Sequence, residues 1–80
     1  MREEDKQVDI GLDVGSVSLN TVLLDSSGAI LEDHYTRMKG QPVGTVREVL
    51  EDILQRYPRE RIGRVGVTGS GGKLVTELLN

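Results

Sequence analysis

The sequence contains no cysteine, tryptophan or phenylalanine, and it has one histidine, His34, among its 80 residues. Without cysteine the chain has no disulfide, no thiolate metal ligand and no cysteine nucleophile. A single histidine cannot form a zinc site by itself. The two tyrosines provide no stacking platform for single-stranded nucleic acid. These absences exclude the common cysteine-based and zinc-based chemistries.

An excess of positive charge is also missing. Ten basic residues stand against thirteen acidic ones, for a net charge of −3, so the chain lacks the charge pattern of a nucleic-acid-binding protein. No apolar run approaches the roughly 18 residues of a membrane span. Residues 1–7 carry both signs of charge without the apolar stretch of a secretory signal. We predict a cytoplasmic protein with no nucleic acid or membrane partner, and a disordered tail over residues 1–7.

Apolar residues alternate with polar ones in three segments that follow this tail. The alternation predicts strands over residues 8–14, 19–24 and 30–37. In the third segment Glu32, Asp33 and His34 indicate a face or an edge that contacts water. Turn residues separate the three segments, which is typical of an antiparallel meander.

A helix and a fourth strand follow. One apolar stripe predicts a helix over residues 45–57, with Thr45 and Glu48 spaced as a capping box and Pro58 ending the helix. A start at Pro42 also fits. A fourth strand is predicted over residues 64–68. Because the helix is long enough to be a crossover, we expect this strand to lie beside the first and parallel to it.

The resulting prediction is an α/β fold with a mixed sheet. The final apolar pattern, from Leu74 to Leu79, begins a second helix that stops at Asn80 without a cap. We therefore expect residues 8–80 to be the N-terminal part of a domain in a longer protein.

The first glycine turn, Asp13-Val14-Gly15-Ser16-Val17-Ser18, joins two strands directly. Main-chain N–H groups and serine hydroxyls in such a turn can face phosphate oxygens. An ionised Asp13 could hold Mg²⁺ or its water shell beside them. A plain β-hairpin, in which the aspartate hydrogen-bonds its own turn, fits the same spacing.

The second glycine turn follows the fourth strand and consists of Thr68, Gly69, Ser70, Gly71, Gly72 and Lys73. Flexible glycines before a helix can form an anion site, although an ordinary strand-to-helix loop is an equal alternative. A P-loop would require Ser or Thr where Leu74 stands, and a dinucleotide fingerprint would require glycine there. Neither classical nucleotide motif fits.

Taken together, the segments Gly11 to Ser18 and Val65 to Gly71 resemble the actin, sugar kinase and Hsp70 ATPase superfamily, whose fold is ribonuclease H-like. Within it the chain looks most like the BadF/BadG/BcrA/BcrD type, which includes the activators of 2-hydroxyacyl-CoA dehydratases. The resemblance implies a βββαβα half domain whose first turn is a phosphate-1 motif. Asn20 stands where these proteins usually carry a basic residue.

The resemblance implies ATP or ADP and Mg²⁺ as cofactors of the full-length protein. Asp13 would be the catalytic and metal-binding residue, and phosphates would be held by Gly15, Ser16, Val17, Ser18, Gly69, Ser70, Gly71 and Gly72. ATP hydrolysis would drive electron transfer to an acyl-CoA dehydratase or reductase partner. A [4Fe-4S] cluster would lie in the full-length homodimer, with no ligand from this chain.

Two alternatives remain at this point. A sugar or polyol kinase of the same superfamily would have the same N-terminal layout. A noncatalytic α/β fragment without a ligand would explain both glycine turns as ordinary loops. Under each interpretation we expect the 80-residue chain by itself to be inactive as an enzyme, because it lacks the second lobe that would enclose a substrate.

Overall fold

The computed structural model describes residues 6–69. Its elements are β1 (Val8–Val14), β2 (Ser18–Asp25), β3 (Ile30–Arg37), α1 (Pro42–Arg56), a 3-10 helix (Arg59–Arg61) and β4 (Ile62–Thr68). The bounds of β1 and β3 are those predicted from the alternation. β2 is longer than predicted by one residue at each end, and β4 begins at Ile62 because this residue pairs with Val8.

The four strands form one mixed sheet in the order β3-β2-β1-β4. The three strands of the meander are antiparallel to their neighbours, and β4 is parallel to β1. The predicted α/β class, the mixed sheet and the position of the fourth strand are therefore confirmed. β3 and β4 are the edge strands of the sheet within the described residues.

The core lies between one face of the sheet and α1. Alternate residues of β1 and β2 point to this face and pack against the helix, so that the buried cluster comprises Val8, Ile10, Leu12, Val14, Leu19, Leu23, Met38, Val46 and Ile53. The intervening residues of β1 point to the opposite face, on which residues 6–69 place no helix. We call this the open face.

The helix begins earlier than its capping motif predicts. α1 starts at Pro42, and its N-cap residue Gln41 makes no side-chain capping hydrogen bond. Proline suits the first helical turn because its φ is already helical and its missing N–H would have no partner there. The Thr45 hydroxyl instead donates to the Met38 carbonyl oxygen at 3.4 Å. The capping box over Thr45 and Glu48 is therefore wrong, and the start at Pro42 is correct.

Several predictions fall outside the described residues. These are the second helix from Leu74, the turn positions Ser70, Gly71 and Gly72, and the first five residues of the tail. Within the tail, the Lys6 carbonyl oxygen accepts a hydrogen bond from Arg61 Nε at 2.8 Å. This bond joins the start of β1 to the segment that precedes β4.

Candidate functional site

The first glycine turn connects β1 and β2 through a tight loop that is fixed from two sides. Gly15 N–H donates to the Ser18 carbonyl oxygen at 2.9 Å, and Met38 N–H donates to the Val17 carbonyl oxygen at 3.0 Å. A Cβ on Gly15 would lie 3.1 Å from that same Ser18 oxygen. The turn is therefore anchored both within the hairpin and from the end of β3.

The tip of this turn presents two main-chain donors. Ser16 and Val17 are exposed, and their N–H groups have no acceptor among residues 6–69. Exposed N–H groups at successive positions of a turn can bind an anion. The turn therefore retains donors that an anion could use.

Asp13 lies on the open face at the end of β1. Asp13 is an exposed residue, and its partners across the sheet are Asn20 on β2 and Thr68 on β4. β1 and β4 are parallel, so their carboxyl ends reach the same edge of the sheet. Ligands of open α/β sheets bind at such carboxyl ends.

The second glycine turn begins directly against Asp13. Gly69 has φ +97°, which favours glycine. A Cβ at this position would lie 2.4 Å from the Val14 carbonyl oxygen and 2.7 Å from Asp13 Oδ1. Only a residue without a side chain fits, and the fold therefore brings the start of the second turn next to the first.

A shallow groove of about 430 Å³ extends from Asp13 across the open face. Gly11 and Gly66 are paired neighbours in its floor, and a Cβ on Gly66 would meet no atom within 4 Å. Its other lining residues include Asp13, Asn20, Val22, Asp33 and Thr68. The volume falls in the range of roughly 300–1,000 Å³ that is typical of small-molecule sites.

Two polar clusters of the structure were not predicted from the sequence. Asp9 accepts hydrogen bonds from Arg64 N at 2.8 Å and from Arg64 Nη2 at 3.2 Å, and the main-chain N–H of Arg64 is the chief cause that lowers the pKa of Asp9. The strand alternation that places Asp9 on the same face of β1 as Asp13 was the available signal. The partner of Asp9, Arg64, depends on the parallel register of β1 with β4.

The second cluster centres on Glu32. The sequence predicted only that this residue lies on a face or an edge that contacts water. Its carboxylate accepts hydrogen bonds from Arg56 and from the Tyr57 hydroxyl at 2.7 Å, and it lies 2.7 Å from His34 Nε2. The hydrogen bond from Arg56, followed by that from His34, lowers the pKa of Glu32 from 4.5 to about 2. The cluster joins β3 to the end of α1, away from Asp13.

Asp13 provides a carboxylate ligand for Mg²⁺, but the residues around it complete a magnesium site only when a phosphate group is bound as well. Within residues 6–69 no group of three or more His, Cys, Asp or Glu side chains could hold a metal ion. Mg²⁺ in phosphate sites needs one or two carboxylates, because waters and phosphate oxygens complete its shell. Asp13 meets that requirement. An iron–sulfur cluster does not fit this chain, which has no cysteine.

Comparison with protein-family models, with curated proteins and with solved structures finds no match to this chain. No helix in the described part is long and apolar enough to cross a membrane.

Proposed function

We propose that this chain binds the phosphate groups of a nucleotide at the carboxyl ends of β1 and β4. The observation that carries the proposal is the meeting of the two glycine turns, in which Gly69 lies against Val14 and Asp13 Oδ1. One turn contributes the N–H groups of Ser16 and Val17, two exposed residues whose N–H groups have no acceptor among residues 6–69. An ordinary β-hairpin would not require a second glycine turn in contact with Asp13, the acidic residue at its base.

Asp13 is the proposed magnesium-binding residue of this site. When bound, Mg²⁺ would neutralise phosphate charge and fix the orientation of the phosphate oxygens. The carboxylate of Asp13 would hold the ion or its water, and the turn N–H groups would hold phosphate oxygens. Asn20, directly across β2 from Asp13, adds an amide and no positive charge. We therefore expect weak binding to the isolated chain.

The resemblance described above supports a finer version of the proposal. The order of elements and the strand order β3-β2-β1-β4 agree with a ribonuclease H-like half domain of the actin and sugar kinase superfamily. In that version the chain is the N-terminal phosphate-binding segment of an ATP-hydrolysing activator of a CoA-ester dehydratase or reductase. Hydrolysis would need the other half of such a domain to exclude water.

Calorimetric titration of the chain with ATP, with and without Mg²⁺, tests the proposal. We expect binding with a Kd of about 0.1–1 mM that depends on Mg²⁺. Asp13→Asn keeps the size of the side chain and removes the charge that a hard cation prefers, so it should abolish the dependence on Mg²⁺. Asp52→Asn is the matched control, because Asp52 is an exposed residue of α1, on the opposite side of the sheet.

Absence of binding at millimolar ATP would contradict the proposal and favour a noncatalytic fragment. Unchanged Mg²⁺-dependent binding in Asp13→Asn would exclude Asp13 as the magnesium-binding residue. Binding below about 1 µM, or multiple turnover of ATP by this chain alone, would contradict the expectation that a second lobe is needed.

A further inference from the structure

Among residues 6–69, β3 is an edge strand of the sheet, and its main chain can pair with a further strand. Met38 N–H donates to the Val17 carbonyl oxygen, and bonded and non-bonded pairs alternate along an antiparallel ladder. The register of β2 with β3 then directs the N–H and C=O groups of Asp33, Tyr35 and Arg37 away from β2. These groups form an open edge of the kind that pairs with further strands.

The same three residues carry their side chains on the open face of the sheet. All are exposed, and Tyr35 is 63% exposed. No ion pair or side-chain hydrogen bond of Asp33 or Arg37 occurs among residues 6–69. The edge therefore presents an acid, an aromatic ring and a base in a row.

This row is complementary to a second copy of itself. We propose that two copies of the chain associate by antiparallel pairing of their β3 strands, with Tyr35 on the two-fold axis. In this register Asp33 lies opposite the partner's Arg37, and Arg37 lies opposite the partner's Asp33. About six main-chain hydrogen bonds would form across the axis, because each of the three facing pairs exchanges two.

The charges favour the register centred on Tyr35 over the adjacent register centred on Asp33. A register centred on Asp33 would bring the two Asp33 carboxylates opposite each other, and like charges directly across a ladder are destabilising. The register centred on Tyr35 instead forms two opposite-charge pairs and places the tyrosine rings side by side. The self-complementary charges identify a second copy, rather than another protein, as the occupant of this edge.

Sedimentation equilibrium between about 10 µM and about 1 mM tests the proposal. The unmodified chain should show a concentration-dependent dimer. Asp33→Arg and Arg37→Asp should each be monomeric, because each places like charges opposite one another. An equimolar mixture of these two variants should dimerise again, since both charged pairs that flank Tyr35 then have opposite charges. Glu51→Arg, on the exposed side of α1, makes the same charge change as Asp33→Arg and should leave the dimer intact.

A cysteine at the axis gives an independent readout in this cysteine-free chain. Two Tyr35 Cα atoms in a bonded pair would be about 5.5 Å apart, which is within the range that a disulfide can bridge. Tyr35→Cys should therefore form a cross-linked dimer on mild oxidation, and Val65→Cys on the opposite edge strand should not. A monomer at every concentration, failure of the mixture to dimerise, or equal cross-linking of both cysteine variants would overturn the proposal.

Discussion

Replacing Glu32 with glutamine should make the protein less stable at neutral pH and less sensitive to acid. Glu32 joins β3 to the end of α1 by accepting hydrogen bonds from Arg56 and Tyr57, and its side chain is 18% exposed. Glutamine keeps the shape and one acceptor oxygen but removes the charge that strengthens these hydrogen bonds. The loss should therefore be electrostatic rather than a loss of packing.

The pKa of Glu32 sets the size and the pH range of this effect. The arginine and histidine bonds lower this pKa from 4.5 to about 2, and at about 1.4 kcal/mol per pKa unit the shift corresponds to at most about 3 kcal/mol. Arg56 is 38% exposed, so water screens the pair, and we expect about 1–2 kcal/mol. Because the folded pKa is the lower one, this contribution is present above pH 4.5 and is lost as the pH falls towards 2.

Urea unfolding of both proteins at pH 7, 5, 4 and 3, followed by circular dichroism, measures the difference directly. The free energies of unfolding should differ by about 1–2 kcal/mol at pH 7 and should converge towards pH 3. Asp9 and Asp25, whose pKa values are also lowered, are present in both proteins and cancel in the comparison. Glu51→Gln, an exposed helix residue, is the control. A difference that stays constant from pH 7 to pH 3 would refute the argument.

Two further predictions concern the sheet. Thr21 is 1% exposed and its hydroxyl has no hydrogen-bond partner among the described residues, so Thr21→Val should raise the free energy of unfolding by about 1 kcal/mol. A lower stability would show that the hydroxyl has a partner. Gly69→Ala should destabilise the fold by about 1–3 kcal/mol, because of its positive φ and its contact with Val14. Gly66→Ala, which meets open space, should change stability by less than about 1 kcal/mol. Equal effects of the two alanines in thermal unfolding would contradict the geometry around Gly69.

Local patterns were sufficient to predict most of the fold. The alternation of Val8, Ile10, Leu12 and Val14 predicted β1 with its observed bounds, since burial of one face imposes a period of two. The length of the helical segment predicted the parallel position of β4. The helix start was harder, because Thr45 fits a capping motif in sequence but donates to Met38 in the fold.

The sequence predicted individual residues of the site but not the contacts between them. Asp13 and the first turn were recognised from the small residues that follow a strand. Their contact with Gly69 depends on the register of β1 with β4, which neither segment encodes alone. The bonds of Glu32 to Arg56 and Tyr57 likewise join residues far apart in the sequence, because they depend on how α1 packs across the sheet.

The most direct test of phosphate binding is an NMR titration of the ¹⁵N-labelled chain with Mg-ADP. We expect the amide signals of Ser16 and Val17 to shift first and furthest, because both residues are exposed and their N–H groups have no acceptor among residues 6–69. The amides of Ser26 and Ser27, in the turn at the other end of β2, should not shift. Saturating shifts at Ser16 and Val17 that require Mg²⁺ would support the site. Unchanged signals at these two residues with millimolar Mg-ADP would contradict it.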